Sequence, residues 1–309
     1  EFPEAVVNEA NKVRPAQSPR EDLTRIPLIT IDPEDARDHD DAVYAESDGH
    51  GGWRIIVAIA DVSAYVRVGT ALDREAYKRG NSTYFPDRVS PMLPEHLSAD
   101  LCSLKEGELR ETFAVEIFFN AGGHKTKHRF IRGKMRSAAK LSYAQAQNAI
   151  DGNPDDKTGP LLESVLKPLW AAYHTVTKAR NLRAPLDLDL PERRVRIGPD
   201  GKIASISLRE RFDAHRLIEE FMIQANVCAA ETLEDKRSPL VYRVHEEPSE
   251  EKINNLSNFL PTIGLRWTRG EKITVSRFNK LLADVRASEN EHLVNEMVLR
   301  TQAQARYAH

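Results

Sequence analysis

The stretch TIDPEDARDHDDAV, residues 30–43, carries six carboxylates within the ten residues 32–41. With 47 acidic residues in 309, an average stretch of ten holds about one and a half, so this run has a fourfold excess of acid. Within it only Arg37 opposes the negative charge. An acidic run of this kind is most often a loop exposed to solvent.

Apolar segments on either side of the acidic run favour a second interpretation. Residues 26–31 and 42–45 have the composition of short strands, and a Gly-rich turn leads from the latter to a third apolar segment at 53–60. The backbone of the acidic run is then held between core strands, and its side chains converge at one edge of a sheet. Converging carboxylates repel one another by several kcal/mol at an effective dielectric constant of about 20, so a cation is needed to compensate them.

The carboxylates favour a hard divalent cation, Mg²⁺ or Mn²⁺, because these ions prefer oxygen ligands. A calcium loop beginning at Asp38 would need Gly and Glu where Val43 and Gly49 stand. Zinc would need several His or Cys ligands, and His39 is the only one in the run. We therefore expect His39 to pack, or to support a ligand, rather than to bind metal. Two Mg²⁺ ions bridged by aspartates are a common arrangement for cleaving phosphodiesters.

The rest of the chain predicts an α+β fold in a single large domain, a mixed or antiparallel sheet flanked by helices, because strands come early and helices late. Residues 1–25 are polar and predict a linker, which leaves residues 26–309 for the domain. Further strands are predicted at 113–119 and 128–132, and in a hairpin over 195–206. Helical spacing is found at residues 72–79, 142–150, 160–183, 213–235, 249–260, 276–287 and 289–306.

The charge balance limits what the chain can bind. Its 44 basic and 47 acidic residues give a net charge of −3, which excludes a globally basic nucleic-acid binder. A polyanion would have to be held by local patches or by metal ions. One such patch comprises Arg129, Arg132, Lys134, Arg136 and Lys140. It is either a solvated face or the lining of an RNA channel.

Cysteine content and hydropathy indicate the compartment. Two cysteines cannot form a disulfide framework, which suggests a reducing environment and a cytoplasmic protein. No run approaches 18 apolar residues, so we expect no membrane-spanning segment and no membrane partner.

Several motifs together resemble the catalytic (RNB) domain of the ribonuclease II and ribonuclease R family. Besides the acidic run, they are VAIADV at 57–62, YFP at 84–86, PMLP at 91–94, LCSL at 101–104 and DAHRLIEEFMI at 213–223. The motifs occur in the family's order and cover nearly the whole chain. PLDLDLP at 185–191 favours the ribonuclease R side of the family.

The resemblance implies a Mg²⁺-dependent hydrolase, a processive 3′→5′ exoribonuclease. Its substrate would be single-stranded RNA, degraded to nucleoside 5′-monophosphates by a two-metal-ion mechanism. Asp32, Asp38, Asp40 and Asp41 match the family's metal-binding and catalytic aspartates, and Asp40 is expected to be indispensable. Glu34 falls outside this set.

Two further residues match family positions that contact RNA. Tyr84 corresponds to an aromatic residue that stacks on the 3′-terminal nucleotide and sets the length of the final product. Glu220 corresponds to a helix glutamate near the 3′ end of the RNA. It lies off the apolar stripe of its helix, so its side chain is available for polar contacts. Where better-known members carry a second stacking aromatic, this chain has Asp187.

The resemblance also implies what surrounds the domain. Cold-shock and S1 RNA-binding domains are expected in the full-length protein, which we expect to be a monomer. An arginine-containing element that follows Tyr-Ala-His in the family does not follow His309, so the catalytic domain is expected to be incomplete at its C-terminal end. This leaves an alternative function, a catalytically impaired RNA-binding or regulatory module, and a weaker one, an unrelated acidic metal-binding protein.

Overall fold

The computed structural model describes residues 1–309 except 183, 187, 189, 191, 192, 209 and 269, so Asp187 lies outside the described residues. Strands dominate the first half and helices the second, which confirms the predicted α+β class. The helices are α1 (Glu4–Lys12), α2 (Ala71–Arg79), α3 (Tyr143–Ile150), α4 (Lys167–Leu182), α5 (Asp213–Asp235), α6 (Glu250–Phe259), α7 (Val275–Asp284) and α8 (Glu291–Thr301). The strands are β1 (Glu21–Asp22), β2 (Ile29–Asp32), β3 (Asp41–Ser47), β4 (Trp53–Ala60), β5 (Thr83–Tyr84), β6 (Val89–Ser90), β7 (Leu109–Phe119), β8 (Lys125–Arg136), β9 (Ala139–Ser142), β10 (Arg193–Ile197), β11 (Ile203–Leu208), β12 (Tyr242–Val244) and β13 (Arg306–Ala308).

Within the described residues, seven strands form one mixed sheet in the order β1-β8-β7-β4-β3-β2-β9. The inner neighbours from β8 to β2 are antiparallel, whereas β1 pairs with β8 and β9 with β2 in parallel. Strand β4 lies in the middle, and its residues 55–58 are all buried. Its continuous apolar sequence therefore reflects a strand that is covered on both faces.

Each face of this sheet has its own hydrophobic core, since alternate residues of a strand point to opposite sides. Val57 and Ile117 face a core completed by side chains of α3, α4 and α5. Ile56 and Ala58 face the other core, to which α1 and α2 contribute. Burying each large aliphatic side chain contributes roughly 1.5–3 kcal/mol.

The N-terminal segment is part of the packed fold, not the linker that we expected over residues 1–25. Helix α1 buries Val6 and Ala10 in the second core, and Arg20 forms an ion pair with Asp61 at 2.7 Å. Only a few apolar side chains make these contacts, so the polar composition of the segment concealed them.

The chain divides into two compact units. The assignment of residues 26–309 to a single domain stays a prediction. The first unit contains the sheet and its two cores. The second unit, mainly residues 229–309, has a separate core in which α6, α7 and α8 bury residues such as Leu256, Phe278 and Val298. In the described part of the chain, no helix combines the length and apolarity needed to cross a membrane.

Candidate active site

The acidic run folds as the loop that joins β2 to β3. Asp32 is the last residue of β2 and Asp41 the first of β3, so residues 33–40 form the loop between two core strands. The backbone amide of Ala60, at the end of β4, donates a hydrogen bond of 2.9 Å to the carbonyl of Asp40. The loop is therefore anchored to the sheet at both ends, as the flanking apolar segments predicted.

A second set of hydrogen bonds holds the middle of the loop. The amide of His39 donates to Oγ of Ser103 at 3.0 Å, and that hydroxyl donates to the carbonyl of Arg37 at 3.2 Å. The amide of Leu104 donates to the carbonyl of His39 at 2.8 Å. These bonds fix the backbone between the aspartates, which limits how far their side chains can spread.

His39 is buried and supports Asp32. Its Nδ1 lies 2.8 Å from Oδ2 of Asp32, and since a carboxylate only accepts, this nitrogen carries the hydrogen when Asp32 is ionised. The expectation that His39 packs beside the acidic residues and supports one of them is confirmed. The bond fixes the orientation of the Asp32 carboxylate.

The pKa values of Asp40 and Asp41 are raised by burial and by the concentration of negative charge in the loop. Loss of surrounding water raises the pKa of Asp41 to about 7, and repulsion from Asp32 and Asp40 acts in the same direction. The pKa of Asp40 is also raised, first by desolvation and then by Asp38 and Asp32, although its side chain reaches the surface. The negative charges of the other aspartates therefore act on Asp40 and Asp41 within this small region.

The four carboxylates fit a divalent cation in chemistry and charge. Among the described residues, Oδ2 of Asp41 is a buried acceptor without a hydrogen-bond partner, which is costly unless another group satisfies it. Hard oxygen ligands of this kind suit Mg²⁺ or Mn²⁺. No three acidic, histidine or cysteine side chains of the described residues already stand close enough together to hold a metal ion. Side-chain rotations would have to bring the carboxylates together to complete such a site.

Tyr84 lies beside the acidic loop, and its role in binding RNA stays a prediction. It belongs to the short hairpin of β5 and β6, its side chain is 64% exposed, and its hydroxyl donates a 3.0 Å hydrogen bond to Oδ2 of Asp38. Desolvation and the bond to Asp38 raise the pKa of Tyr84 to about 12, so the hydroxyl keeps its proton at neutral pH. An exposed aromatic ring next to the acidic loop is available for stacking.

Comparison with known proteins places this geometry in a family. A family model described as "RNB domain" matches residues 20–309. The chain belongs to the RNB domain family. It is 40% identical over 314 residues to ribonuclease R of Aquifex aeolicus, an alignment that covers 99% of this chain and 44% of that protein. The RNB domain described here thus spans less than half the length of this relative.

Solved structures of one protein share the fold of this RNB domain. The chain superimposes on Mycoplasma genitalium RNase R in complex with ribose-methylated single-stranded RNA with a TM-score of 0.92, at 27% identity, covering all of this chain and 49% of that chain. The same protein in complex with double-stranded RNA gives a TM-score of 0.93 at 27% identity, covering 56% of that chain. The expected resemblance to ribonuclease R is confirmed.

Glu220 of this RNB domain is not in the exposed position that helical spacing suggested. It is fully buried in α5, and its Oε1 accepts a 2.8 Å hydrogen bond from Nε2 of Gln224, one turn further along. The helix buries a wider face than the apolar stripe of Leu217 and Phe221 alone. The reason is tertiary: α5 lies against the sheet, so polar side chains at the border of the stripe are enclosed too.

The basic patch divides between the two faces of β8. Arg129 lies on the face of the second core and pairs with Glu116 at 2.5 Å and with Glu21 at 2.8 Å. Arg132 and Lys134 lie on the opposite face, because residues of opposite parity alternate along a strand. Arg136 shares that face, and it donates to the carbonyl of Gly107.

Two contacts of the RNB domain were not foreseen from the sequence. Lys140 on β9 does not extend the basic patch but donates from Nζ to the carbonyl of Ala36 in the acidic loop, at 3.1 Å. Ser103 anchors the same loop from a distant segment. The LCSL motif that contains Ser103 was a usable signal, whereas the contact of Lys140 depends on the parallel pairing of β9 with β2.

Proposed function

We propose that this chain is the catalytic domain of a 3′→5′ exoribonuclease that degrades single-stranded RNA processively to nucleoside 5′-monophosphates. The observation that carries the proposal is the buried, unpartnered Oδ2 of Asp41 within a group of mutually repelling aspartates, on an RNB fold. Relatives named ribonuclease R and RNA-bound structures of one of them support RNA as the substrate.

Asp32, Asp38, Asp40 and Asp41 would hold the metal, with Mg²⁺ favoured and Mn²⁺ possible. When bound, two such ions would activate a water molecule and stabilise charge on the leaving oxygen. The chain prepares its ligands for this role. The bond from His39 sets the orientation of Asp32, and the anchors at Ala60 and Ser103 hold the backbone near Asp40.

The proposed roles of the RNA-contacting residues follow from their positions. Tyr84 would stack on the 3′-terminal nucleotide, because its exposed ring stands over the loop that carries Asp38. Its hydroxyl would keep that ring in place until RNA arrives. Arg132, Lys134 and Arg136 would attract the phosphates from the exposed face of β8. Buried Glu220 would act by holding α5 in position rather than by contacting RNA from the surface.

The surroundings of the domain are proposed from the same family. We propose that the full-length protein is a cytoplasmic monomer, and that its cold-shock and S1 domains increase the affinity for long RNA. An RNA-binding or regulatory RNB module without turnover is the alternative. The absence of three converged ligands among the described side chains is the observation that favours it.

Incubation of the chain with single-stranded RNA labelled at its 5′ end tests the proposal directly. With Mg²⁺ we expect the full-length band to be replaced directly by a short 5′-labelled end product, without a ladder of intermediates, and a label at the 3′ end to be released as a mononucleotide. With EDTA we expect intact RNA. Tight binding of RNA that stays intact in Mg²⁺ and in Mn²⁺ would favour the alternative module. Internal cuts that give mixed oligonucleotides would contradict the exonucleolytic proposal.

A further inference from the structure

One row of residues crosses the sheet from the acidic loop to the basic patch. Asp41 on β3 pairs with Ile59 on β4, Ile59 pairs with Phe113 on β7, and Phe113 pairs with Arg132 on β8. Residues paired directly across antiparallel strands point to the same face, so all four side chains lie on one face. Three strand spacings separate the ends of the row, which is about 14 Å.

The outer end of this row is an exposed aromatic stack. Phe113 is 39% exposed, and its ring stacks on that of Phe130 with 5.4 Å between centroids and 12° between planes. Phe130 is half-buried and packs against the first core, so the Phe113 ring stacks on a ring that the core holds in place. Phe113 therefore offers a partly exposed aromatic ring with a fixed neighbour.

A cation accompanies the ring. The guanidinium of Arg132 lies 5.8 Å from the centre of the Phe113 ring, and its side chain is about half-exposed. Arg132 also lies 3.4 Å from Asp61, but that carboxylate already has a shorter ion pair of 2.7 Å with Arg20.

Arg132 is weakly paired because Arg20 already occupies its acidic partner. The side chain of Arg20 is almost fully buried and pairs with Glu111 as well as with Asp61, so it neutralises much of both carboxylates. Arg132 and Lys134 share these two carboxylates with Arg20, and Lys134 is as far as 3.8 Å from Glu111. Three cations therefore share two carboxylates in ion pairs next to an exposed aromatic ring, and Arg132 has only the longer contact with Asp61.

We propose that Phe113 and Arg132 form a subsite for single-stranded RNA, in which a base stacks on Phe113 and the neighbouring phosphate pairs with Arg132. This subsite lies upstream of the cleavage point, in register with Asp41. It rests on the proposed function, because it assumes that RNA reaches the acidic loop. Sequence-tolerant binding of single strands combines stacking aromatics with cations in this way.

The distance between Asp41 and Arg132 determines how long an RNA must be to reach the subsite. At about 3.4 Å per stacked nucleotide, a dinucleotide at the acidic loop covers roughly half of the 14 Å to Arg132. A ten-nucleotide strand covers all of it. The subsite therefore acts on long strands and not on dinucleotides, which separates it from the site at Tyr84.

The test compares RNA affinity in an Asp40→Asn background, where bound RNA stays intact, by fluorescence anisotropy with labelled decaadenylate. We expect Phe113→Ala to weaken binding about 5- to 100-fold and Phe113→Trp to retain it, because stacking needs only an aromatic face. Arg132→Gln is expected to lower the slope of log affinity against log salt by about 0.7, the loss of one phosphate contact. A competing dinucleotide should bind all variants equally.

A second aromatic–cation pair on the same two strands serves as a matched control. Phe118 on β7 pairs with Lys127 on β8, whose ammonium lies 4.3 Å from the ring centre, but this pair lies on the opposite face. Phe118→Ala and Lys127→Gln are expected to leave affinity and salt slope unchanged. Thermal melting of every variant checks that the fold is intact.

The outcomes separate this subsite from the proposed function. If Phe113→Ala and Arg132→Gln bind decaadenylate like the background while melting normally, the subsite is wrong even when the wild-type chain degrades RNA. If Phe113→Trp loses as much affinity as Phe113→Ala, stacking is not the cause and the inference fails. If the wild-type chain never cleaves but the variants weaken binding as expected, the proposed function fails and the subsite stands.

Discussion

Two groups of carboxylates on the same sheet have opposite electrostatic character. In the acidic loop, desolvation and mutual repulsion raise the pKa values of Asp40 and Asp41. Glu116 on β7 is also buried, and burial acts to raise its pKa. There, however, hydrogen bonds from Arg129 and Arg54 outweigh the desolvation and lower the pKa below its ordinary value.

The two groups differ in whether cationic side chains compensate their negative charge, and not in the number of acidic residues. Glu116 has both its partners within the protein, so its charge stabilises the fold. The acidic loop contains Arg37, but this side chain is exposed and pairs with Glu95 at 3.2 Å. Oδ2 of Asp41 has no hydrogen-bond partner among the described residues, which supports our proposal that a cation from outside the chain compensates it. Such unsatisfied groups mark candidate functional sites.

The largest expected effect tests the functional side of this comparison. Asp40→Asn should lower RNA cleavage by about three orders of magnitude or more, because the proposed metal site would lose a ligand and, with it, several kcal/mol of charge stabilisation on the phosphate. RNA binding should remain largely intact. Product release from labelled RNA and anisotropy measure the two quantities. Glu34→Gln, an exposed carboxylate of the same loop, is the control and should cleave normally. Equal cleavage by Asp40→Asn and its parent would show that the site is misassigned.

A second prediction tests whether Tyr84 belongs to the acidic site. Tyr84→Ala should lengthen the final product rather than stop the reaction, since stacking on an aromatic ring contributes about 1–3 kcal/mol. Tyr84→Phe keeps the ring and loses the bond to Asp38, so its end product should have the parental length. Denaturing gels resolve the products. An unchanged ladder for Tyr84→Ala would remove Tyr84 from the site.

Glu116 tests the structural side of the comparison. Glu116→Gln should lower the free energy of unfolding by about 1–3 kcal/mol, because Arg54 and Arg129 lose the charge that both of them face. Activity per folded molecule should not change. Urea denaturation measures the loss. Glu163→Gln removes an exposed pair with Lys167 and should shift stability by less than about 1 kcal/mol. Loss of cleavage with unchanged stability would reverse the roles of the two groups.

The smallest expected effect is a pH dependence at Asp41. Its pKa in the folded chain, about 7, is above that of the unfolded chain, so the folded state binds the proton more tightly. Asp41 therefore contributes stability at low pH that is lost as pH rises from about 4 to 7. Mg²⁺ needs the ionised carboxylate and should raise the melting temperature more at pH 8 than at pH 5.5. Asp41→Asn should reduce this difference, and an unchanged difference would contradict the assignment.

Local periodicity made several elements predictable. The predicted limits of β4 and α5, residues 53–60 and 213–235, are those of the structure. Both segments are long and bury continuous apolar faces, so their sequence patterns survive in the fold. The acidic loop was predictable for a related reason, because apolar strands on each side leave it little freedom.

Contacts between distant segments were not predictable in this way. The polar segment 1–25 gains its structure from partners such as Asp61, and Glu220 is enclosed only because α5 lies on the sheet. In the sequence, the five cations of the basic patch are not distinguishable from one another. Strand alternation then divides it, and its members meet different carboxylates on the two faces.

The sequence alone determined that this chain is an RNB domain with four aspartates concentrated between two strands. The order of the motifs and the local density of acidic residues are properties of the sequence itself. The tertiary structure alone decided which charges are compensated and which are left over. The compensation of a charge depends on distances of a few ångströms between residues as many as 108 positions apart, such as Glu21 and Arg129, and the register of the sheet sets these distances. That register is what places Phe113 and Arg132 in one row with Asp41.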